Sequence, residues 1–254
     1  MLLVVDVGNT HTVLGLYDGE HLAHSWRLRT SRERTTDEWG LTFRSFFELN
    51  DISFKSINGM AISSVVPPAI HALKRSGKRY FHVEALVIGP GVKTGLSILY
   101  DNPKEVGADR VVNAVAAYEK TKQACIVVDF GTATTFDCIS PDGKYLGGVI
   151  APGLKVSLDA LVARAAKLPR VEIVKPTHLI GKNTEEAIQA GTLFGYVALV
   201  DGLVDRLTKE MGHKVTVIAT GGLSSVIASE SQTISSLEPN LTLEGLRIIY
   251  NKNQ

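Results

Sequence analysis

Leu3–Val13, LVVDVGNTHTV, returns later in the chain as Ile126–Phe136, IVVDFGTATTF. Asp6, Gly8 and Thr12 reappear as Asp129, Gly131 and Thr135, each 123 positions on (6 to 129, 8 to 131, 12 to 135). In both copies three aliphatic residues lead into an Asp, then a Gly, then small hydroxyl residues. An alternating apolar run then resumes, Val13, Leu14 and Leu16 in the first copy and Phe136, Cys138 and Ile139 in the second. That pattern is strand, turn, strand, written twice. A lone Asp-x-Gly signals a β-turn and no more; two of them in matched context point to a duplicated domain.

The residue types suit a phosphate. Gly8 and Gly131 let the backbone approach an anion with no Cβ in the way, and Asn9, Thr10, Thr132 and Thr134 offer amide and hydroxyl donors. Asp6 and Asp129, at the ends of buried strands, would repel a phosphate directly; their role is to hold a cation that bridges to it. Two such hairpins can grip one nucleotide from both sides. The expected domains are 1–115 and 116–254, meeting across a cleft.

With 254 residues, 44% hydrophobic and 21% charged, the chain has the composition of a globular protein with two cores. A net charge of +1 offers no field for nucleic acid or an anionic membrane. Cys125 and Cys138 lack CxxC spacing and read as buried thiols of a reducing cytoplasm. Because Met1 runs straight into a strand, no signal peptide is expected, and no apolar run is expected to reach membrane-spanning length.

In chain order, Asp18-Gly19 turns the first hairpin into a third strand, His21–Arg29. Thr35 with Glu38 forms a capping box for a helix to about Leu49, whose Trp39, Phe43, Phe46 and Phe47 read as core. Ile57–Val65 is a strand, Pro67-Pro68 opens a helix, and Ala85–Ile88 is a strand. The second half repeats the order. Asp142-Gly143 turns into Tyr145–Ile150, a helix covers Pro152–Ala166, and Asn183 with Glu186 caps a long helix to about Lys209. A strand at Lys214–Ala219 and a short helix from Leu223 follow, with a last apolar segment at Leu246–Tyr250. Ser31–Thr36 reads as a solvated loop.

The tetrapeptide Gly107–Arg110, GADR, begins a good helix former, so Asp109 falls in a first turn. There it is either a cap or, where a hydroxyl is bonded to it, a proton acceptor. Arg110 is either its solvated neighbour or a bidentate partner for a carboxylate.

DVGNT at Asp6–Thr10, DFGTATT at Asp129–Thr135 and ATGG at Ala219–Gly222 resemble the two phosphate loops and the adenosine loop of the sugar kinase, Hsp70 and actin superfamily. Tyr100, GADR, GGVIAPG at Gly147–Gly153 and Asn183-Thr184 are similar to the type III pantothenate kinase family, in the right order over essentially the whole chain. The resemblance implies an α/β fold of two duplicated RNase H-like (actin-like ATPase) domains, mixed β-sheets flanked by helices, with the nucleotide in the cleft between them. It implies ATP-dependent phosphorylation of pantothenate in the cytoplasm, the first step of coenzyme A synthesis. Asp109 is then the base. Asp6, Val7, Gly8, Asn9, Thr10, His11, Thr12, Val13, Thr132, Gly221 and Gly222 bind ATP, and Tyr100, Gly107, Ala108, Asp109, Arg110 and Thr184 bind pantothenate. Asp6 serves Mg²⁺ through water, and Asp129 a monovalent cation, K⁺ or NH₄⁺. A homodimer closes the pocket at the subunit interface. Three of these residues keep a structural reading as well: Thr184 as a helix N-cap, and Gly221 and Gly222 as a helix-entry turn.

No GxSxG, HExxH or GxxxxGK[ST] occurs, and the seven histidines show no metal-ligand spacing. The rivals are a related small-molecule kinase or phosphatase on the same fold, and a transcriptional accessory or regulatory protein. The regulatory reading needs a decayed acceptor site or a basic DNA-reading element. Asp109 and Arg110 are intact and the charge is near zero.

Overall fold

The computed structural model describes all 254 residues. The chain divides into two compact units, Met1–Gly95 with Asn102–Ala116 and Thr242–Gln254, and Leu96–Asp101 with Ala117–Leu241.

In the first unit, β1 (Leu2–Val7), β2 (His11–Asp18) and β3 (His21–Arg29) form an antiparallel meander. Then come α1 (Thr36–Glu48), β4 (Gly59–Ser64), α2 (Pro67–Ser76) and β5 (Ala85–Val87), with β4 parallel to β1 and β5 parallel to β4. The strand order is β3-β2-β1-β4-β5. Leu3, Val5, Val7, Leu14, Leu16, Met60 and Ile62 present one face of this sheet to Trp39, Phe43 and Phe47 of α1 and to Leu73 of α2. The aromatics of α1 are core residues. Thr35 caps α1 with the full reciprocal box: its hydroxyl accepts from Glu38 N, and the Glu38 carboxylate accepts from Thr35 N at 2.7 Å.

The second unit contains β6 (Ser97–Ile98) and the last turn of α3 (Ala108–Thr121), followed by β7 (Cys125–Phe130), β8 (Ala133–Ile139), β9 (Lys144–Pro152), α4 (Leu154–Arg164), α5 (Thr184–Met211), β10 (Thr216–Gly221), α6 (Ser224–Ala228) and β11 (Ser236–Leu237). The order β11-β10-β7-β8-β9-β6 repeats the first sheet, with β6 added outside β9. Ile126, Val128, Phe130, Phe136, Cys138 and Val217 pack on Leu154 of α4 and on Leu193, Val197, Val200 and Val204 of α5. Both cysteines are free and buried, and burial pushes the Cys125 thiol up to about 11.

The duplication extends to an irregularity. Pairing slips between Leu16 and Tyr17, opposite His24 and Leu22, and again between Cys138 and Ile139, opposite Gly147 and Tyr145. The constant interval read from the sequence needs one correction. Val7 pairs with Thr12, whereas Phe130 pairs with Thr134. The first turn therefore has one residue more than the second, and the counterpart of Thr12 is Thr134, not Thr135. Both threonines are 1% exposed. A slip of one residue would turn every side chain of the return strand to the wrong face, so burial sets the register rather than spacing.

The last helix, α7 (Leu241–Asn251), packs almost wholly within the first unit. Leu243, Leu246 and Ile249 are buried, Thr242 Oγ1 donates to Asn113 Oδ1 at 2.7 Å, and Gly245 lies against Val112 of α3. Another expectation is overturned: α5 is long and apolar enough, by length and composition, to cross a bilayer. Its buried side fills the core of the second unit, which accounts for that apolarity within a globular fold.

Candidate functional site

Both Asp-x-Gly turns stand at the carboxyl ends of the central strands, where open α/β sheets bind ligands. In the first unit Asp6 is half-buried at the end of β1, and Asn9, Thr10 and His11 are exposed. Gly8 N donates to His11 O at 3.0 Å, and a Cβ on Gly8 would stand 3.1 Å from that carbonyl, so a side chain there would push the turn open. A residue the sequence reading passed over holds the turn from behind. Thr30, just after β3, donates from Oγ1 to Gly8 O at 2.7 Å, lies 3.0 Å from Thr12 Oγ1, and donates from its backbone N to Thr10 O at 2.9 Å. No local motif marks it; only its position opposite the hairpin does.

Also in the first unit, α3 starts at Ala108 as expected, with Asp109 in its first turn and Val111 N donating to Gly107 O at 3.2 Å. Asp109 Oδ1 accepts from Arg110 N at 2.9 Å and occupies the space where Gly107 lacks a side chain, 2.5 Å from where a Cβ would be. Glycine at this position makes room for the carboxylate. Burial pushes the Asp109 carboxyl above its ordinary value, partly offset by the Arg110 amide and guanidinium. A carboxylate so desolvated is a better proton acceptor than an ordinary aspartate. Arg110 is 7% exposed, a buried cation of the kind that binds a carboxylate.

The second unit brings together Asp129, Thr132 and Gly221. Gly221 has φ +93°, and a Cβ there would stand 2.5 Å from Asp129 Oδ1 and 2.6 Å from Phe130 N. Glycine at 221 is thus required both by its backbone and by the Asp129 carboxylate lying over it. Gly222 is exposed in the turn into α6, and Ser224 Oγ donates to Gly221 O at 2.6 Å. Thr132 is exposed, and its carbonyl accepts from Gly153 N at 3.1 Å, so the last glycine of GGVIAPG abuts the second Asp-x-Gly turn. Tyr100 packs over Gly147, 3.6 Å from where that residue's Cβ would be, with its ring 6.4 Å from Tyr145.

Thr184 is apart from these. It is the first helical residue of α5 and exposed; the N-cap is Asn183, whose Oδ1 accepts from Glu186 N at 2.9 Å. Of the two caps read from the sequence, Asn183 holds and Thr184 does not, and the Glu186 carboxylate accepts from Lys182 N at 2.9 Å instead of from the cap itself. No group of three or more His, Cys, Asp or Glu is placed to hold a metal ion. A cation at Asp6 or Asp129 would complete its shell with water, backbone carbonyls or phosphate oxygens, a donor set suited to hard ions.

A meander continued by parallel strands, twice, with an Asp-x-Gly turn at the head of each, defines the actin-like ATPase fold. Solved structures share the fold: a Baf family transcriptional activator from Campylobacter jejuni (18% identity, TM-score 0.61, 99% and 98% of the two chains covered) and the activator of 2-hydroxyisocaproyl-CoA dehydratase from Clostridium difficile with bound ADPNP (10%, 0.54, 99% and 95%). An inorganic polyphosphate/ATP-glucomannokinase from Arthrobacter sp. strain KM shares it too (14%, 0.50, 99% and 98%). Within that fold, residues 2–206 match the model of the type III pantothenate kinase family. The type III pantothenate kinase of Anaeromyxobacter sp. (strain Fw109-5) is 54% identical over 254 residues, with both chains covered in full. The chain belongs to the type III pantothenate kinase family.

Proposed function

We propose that this chain transfers the γ-phosphoryl group of ATP to the primary hydroxyl of pantothenate, giving 4′-phosphopantothenate and ADP, the first step of coenzyme A synthesis. The observation that carries the chemistry is Asp109, a desolvated carboxylate held at the start of α3 by Gly107 and Arg110. Asp109 takes the hydroxyl proton as the oxygen attacks the γ-phosphorus, and the bond to the β–γ bridging oxygen breaks with its electrons leaving on ADP. Arg110 pairs with the pantothenate carboxylate, joined by Tyr100, Gly107, Ala108 and Thr184. Asp6–Val13 and Thr132 bind the ATP phosphates, and Gly221 and Gly222 the adenosine. Mg²⁺ held through water by Asp6 would neutralise phosphate charge, and Asp129 would hold K⁺ or NH₄⁺. The two halves 1–115 and 116–254 are read as the duplicated domains, and the enzyme as cytoplasmic.

We read the active form as a homodimer whose pocket is closed at the subunit interface. Supporting this are apolar side chains left exposed on the second unit, Leu146 and Ile150 of β9, Val156 and Leu161 of α4, and Leu179 and Ile180 at 68% and 82%. Gly191, Gly195 and Gly202 leave open space along exposed positions of α5. The regulatory alternative is not favoured. The likeness to the Campylobacter protein is one of fold.

The test is an ADP-release assay with ATP, Mg²⁺ and pantothenate, run in K⁺ or Na⁺, on the native chain and on Asp109→Asn. ADP release that needs pantothenate and K⁺ and falls by about 10²–10⁴-fold in the variant is expected. Release indifferent to pantothenate would overturn the reading. Sedimentation of Ile150→Asp tests the dimer, with a less active monomer expected.

A further inference from the structure

Asp137 lies in the middle of β8 with no solvent exposure. Burying a carboxylate costs several kcal/mol unless it is well hydrogen-bonded. Tyr145, itself fully buried, donates from its hydroxyl to Asp137 Oδ1 at 2.6 Å, and Thr135 Oγ1 donates to Oδ2 at 3.3 Å. Tyr145 in turn neighbours Tyr100. Ser97 and Ile98 pair with Lys144 and Tyr145, Leu99 N donates to Tyr145 O at 2.8 Å, and the two tyrosine rings meet at 6.4 Å and 54°. Gly147, with φ +115°, turns the strand so that bare backbone lies beside the Tyr100 ring.

The duplication supplies an internal control. By the registers above, Asp137 corresponds to Gly15 and Tyr145 to Leu22. In the first unit that place is apolar: a Cβ on Gly15 would meet Leu243 at 3.0 Å and Leu22 at 3.3 Å. One fold, built twice, thus closes the same position once with Gly and Leu and once with a buried Asp–Tyr pair. The fold does not need the polar pair, and buried polar pairs are weak sources of stability.

We propose that Asp137 is a positioning residue for the acceptor: it fixes Tyr145, and Tyr145 seats the Tyr100 ring that contacts pantothenate. This rests on the assignment of Tyr100 to the pantothenate site. The experiment compares Tyr145→Phe, Asp137→Asn and Tyr100→Ala, singly and with Tyr145→Phe combined with Tyr100→Ala. It reads KM for pantothenate, KM for ATP, kcat, and the NMR shift of ring-labelled Tyr100.

Expected for Tyr145→Phe and Asp137→Asn is a rise of about tenfold in KM for pantothenate, KM for ATP changed by less than about twofold, and a shifted Tyr100 resonance. Tyr145→Phe is expected to add little to Tyr100→Ala. Equal rises in both KM values, additive effects, or an unmoved Tyr100 resonance overturn the proposal. If the single variants do not fold, Asp137→Gly with Tyr145→Leu copies the first unit's own solution; failure of that variant to fold assigns the pair to stability and also overturns it. If Tyr100→Ala leaves KM for pantothenate unchanged while the Tyr100 resonance still moves in Tyr145→Phe, the Tyr100 assignment fails and the seating of the ring stands.

Discussion

Replacing Thr30 by Val deletes one hydroxyl and leaves the side-chain shape nearly unchanged. Two bonds go with it, to Gly8 O at 2.7 Å and with Thr12 Oγ1 at 3.0 Å. Thr12 is 1% exposed, so its hydroxyl is left in a buried site without that partner, at a cost of about 1–3 kcal/mol. Gly8 is half-buried and its carbonyl recovers some hydration, so that bond counts for about 0.5–1.5 kcal/mol. The turn relieves part of this by shifting Gly8, and Gly8 N is the donor that closes the loop onto His11 O. If about 1.4 kcal/mol of the loss falls on the geometry that meets ATP, KM for ATP rises about tenfold. The assay is steady-state kinetics with each substrate varied, alongside thermal unfolding. KM for pantothenate stays put, and Thr30→Ser, which keeps the hydroxyl, restores most of the loss. A folded Val variant with KM for ATP unchanged, or a Ser variant as impaired as Val, would refute the reasoning.

Asp109 gives a pH dependence. As a base it must be ionised, so kcat/KM falls as pH drops through a pKa that burial has raised above 3.8, and the acid limb lies higher than for an ordinary aspartate. For stability the sign is opposite: with the folded-state pKa raised, the contribution is fully present below the unfolded pKa and is lost as pH rises through the folded one. Asp109→Asn, which cannot ionise, should therefore melt no lower than the native chain at pH 7; a drop of several degrees there would contradict the burial argument. Gly221→Ala forces a left-handed alanine, costing about 1–2 kcal/mol before any clash with Asp129. It is expected to melt lower and to lose its response to K⁺, and an unchanged K⁺ response would separate Asp129 from the cation. Leu246→Ala, at a fully buried site in α7, should cost about 2–5 kcal/mol in denaturant titration; a near-neutral result would mean that α7 adds little to the first unit.

The two Asp-x-Gly turns, the meanders, the caps of α1 and the start of α3 were legible because each is decided by neighbours in sequence. Gly19 and Gly143, for example, both take the left-handed conformation that an Asp-Gly turn predicts. What was not legible depends on distant partners. Nothing near Thr30 announces that it bonds to Gly8, nothing in the tail says that α7 joins the first unit, and the two-residue strands β6 and β11 are too short to carry a pattern. Counting residues between repeats also could not reveal that the first turn is one longer, since only burial of Thr12 and Thr134 sets that register.

The corrected register makes the two turns comparable bond by bond. Thr30 N donates to Thr10 O, and at the same place in the second copy Gly153 N donates to Thr132 O. In the first copy the clamp is completed by the Thr30 hydroxyl, which reaches Gly8 and Thr12. In the second no side chain fits at 153, because a Cβ would run into the carbonyls of Gly131 and Thr132. There the buried Thr134 is held instead from α5: the Tyr196 hydroxyl lies 2.6 Å from Thr134 Oγ1 and donates to Pro152 O at 2.8 Å. The same buried threonine behind the same turn is therefore anchored by a strand end in one copy and by a helix in the other. Two different clamps thus hold the two copies of the turn from behind, and a turn held in place is what the proposed phosphate site requires.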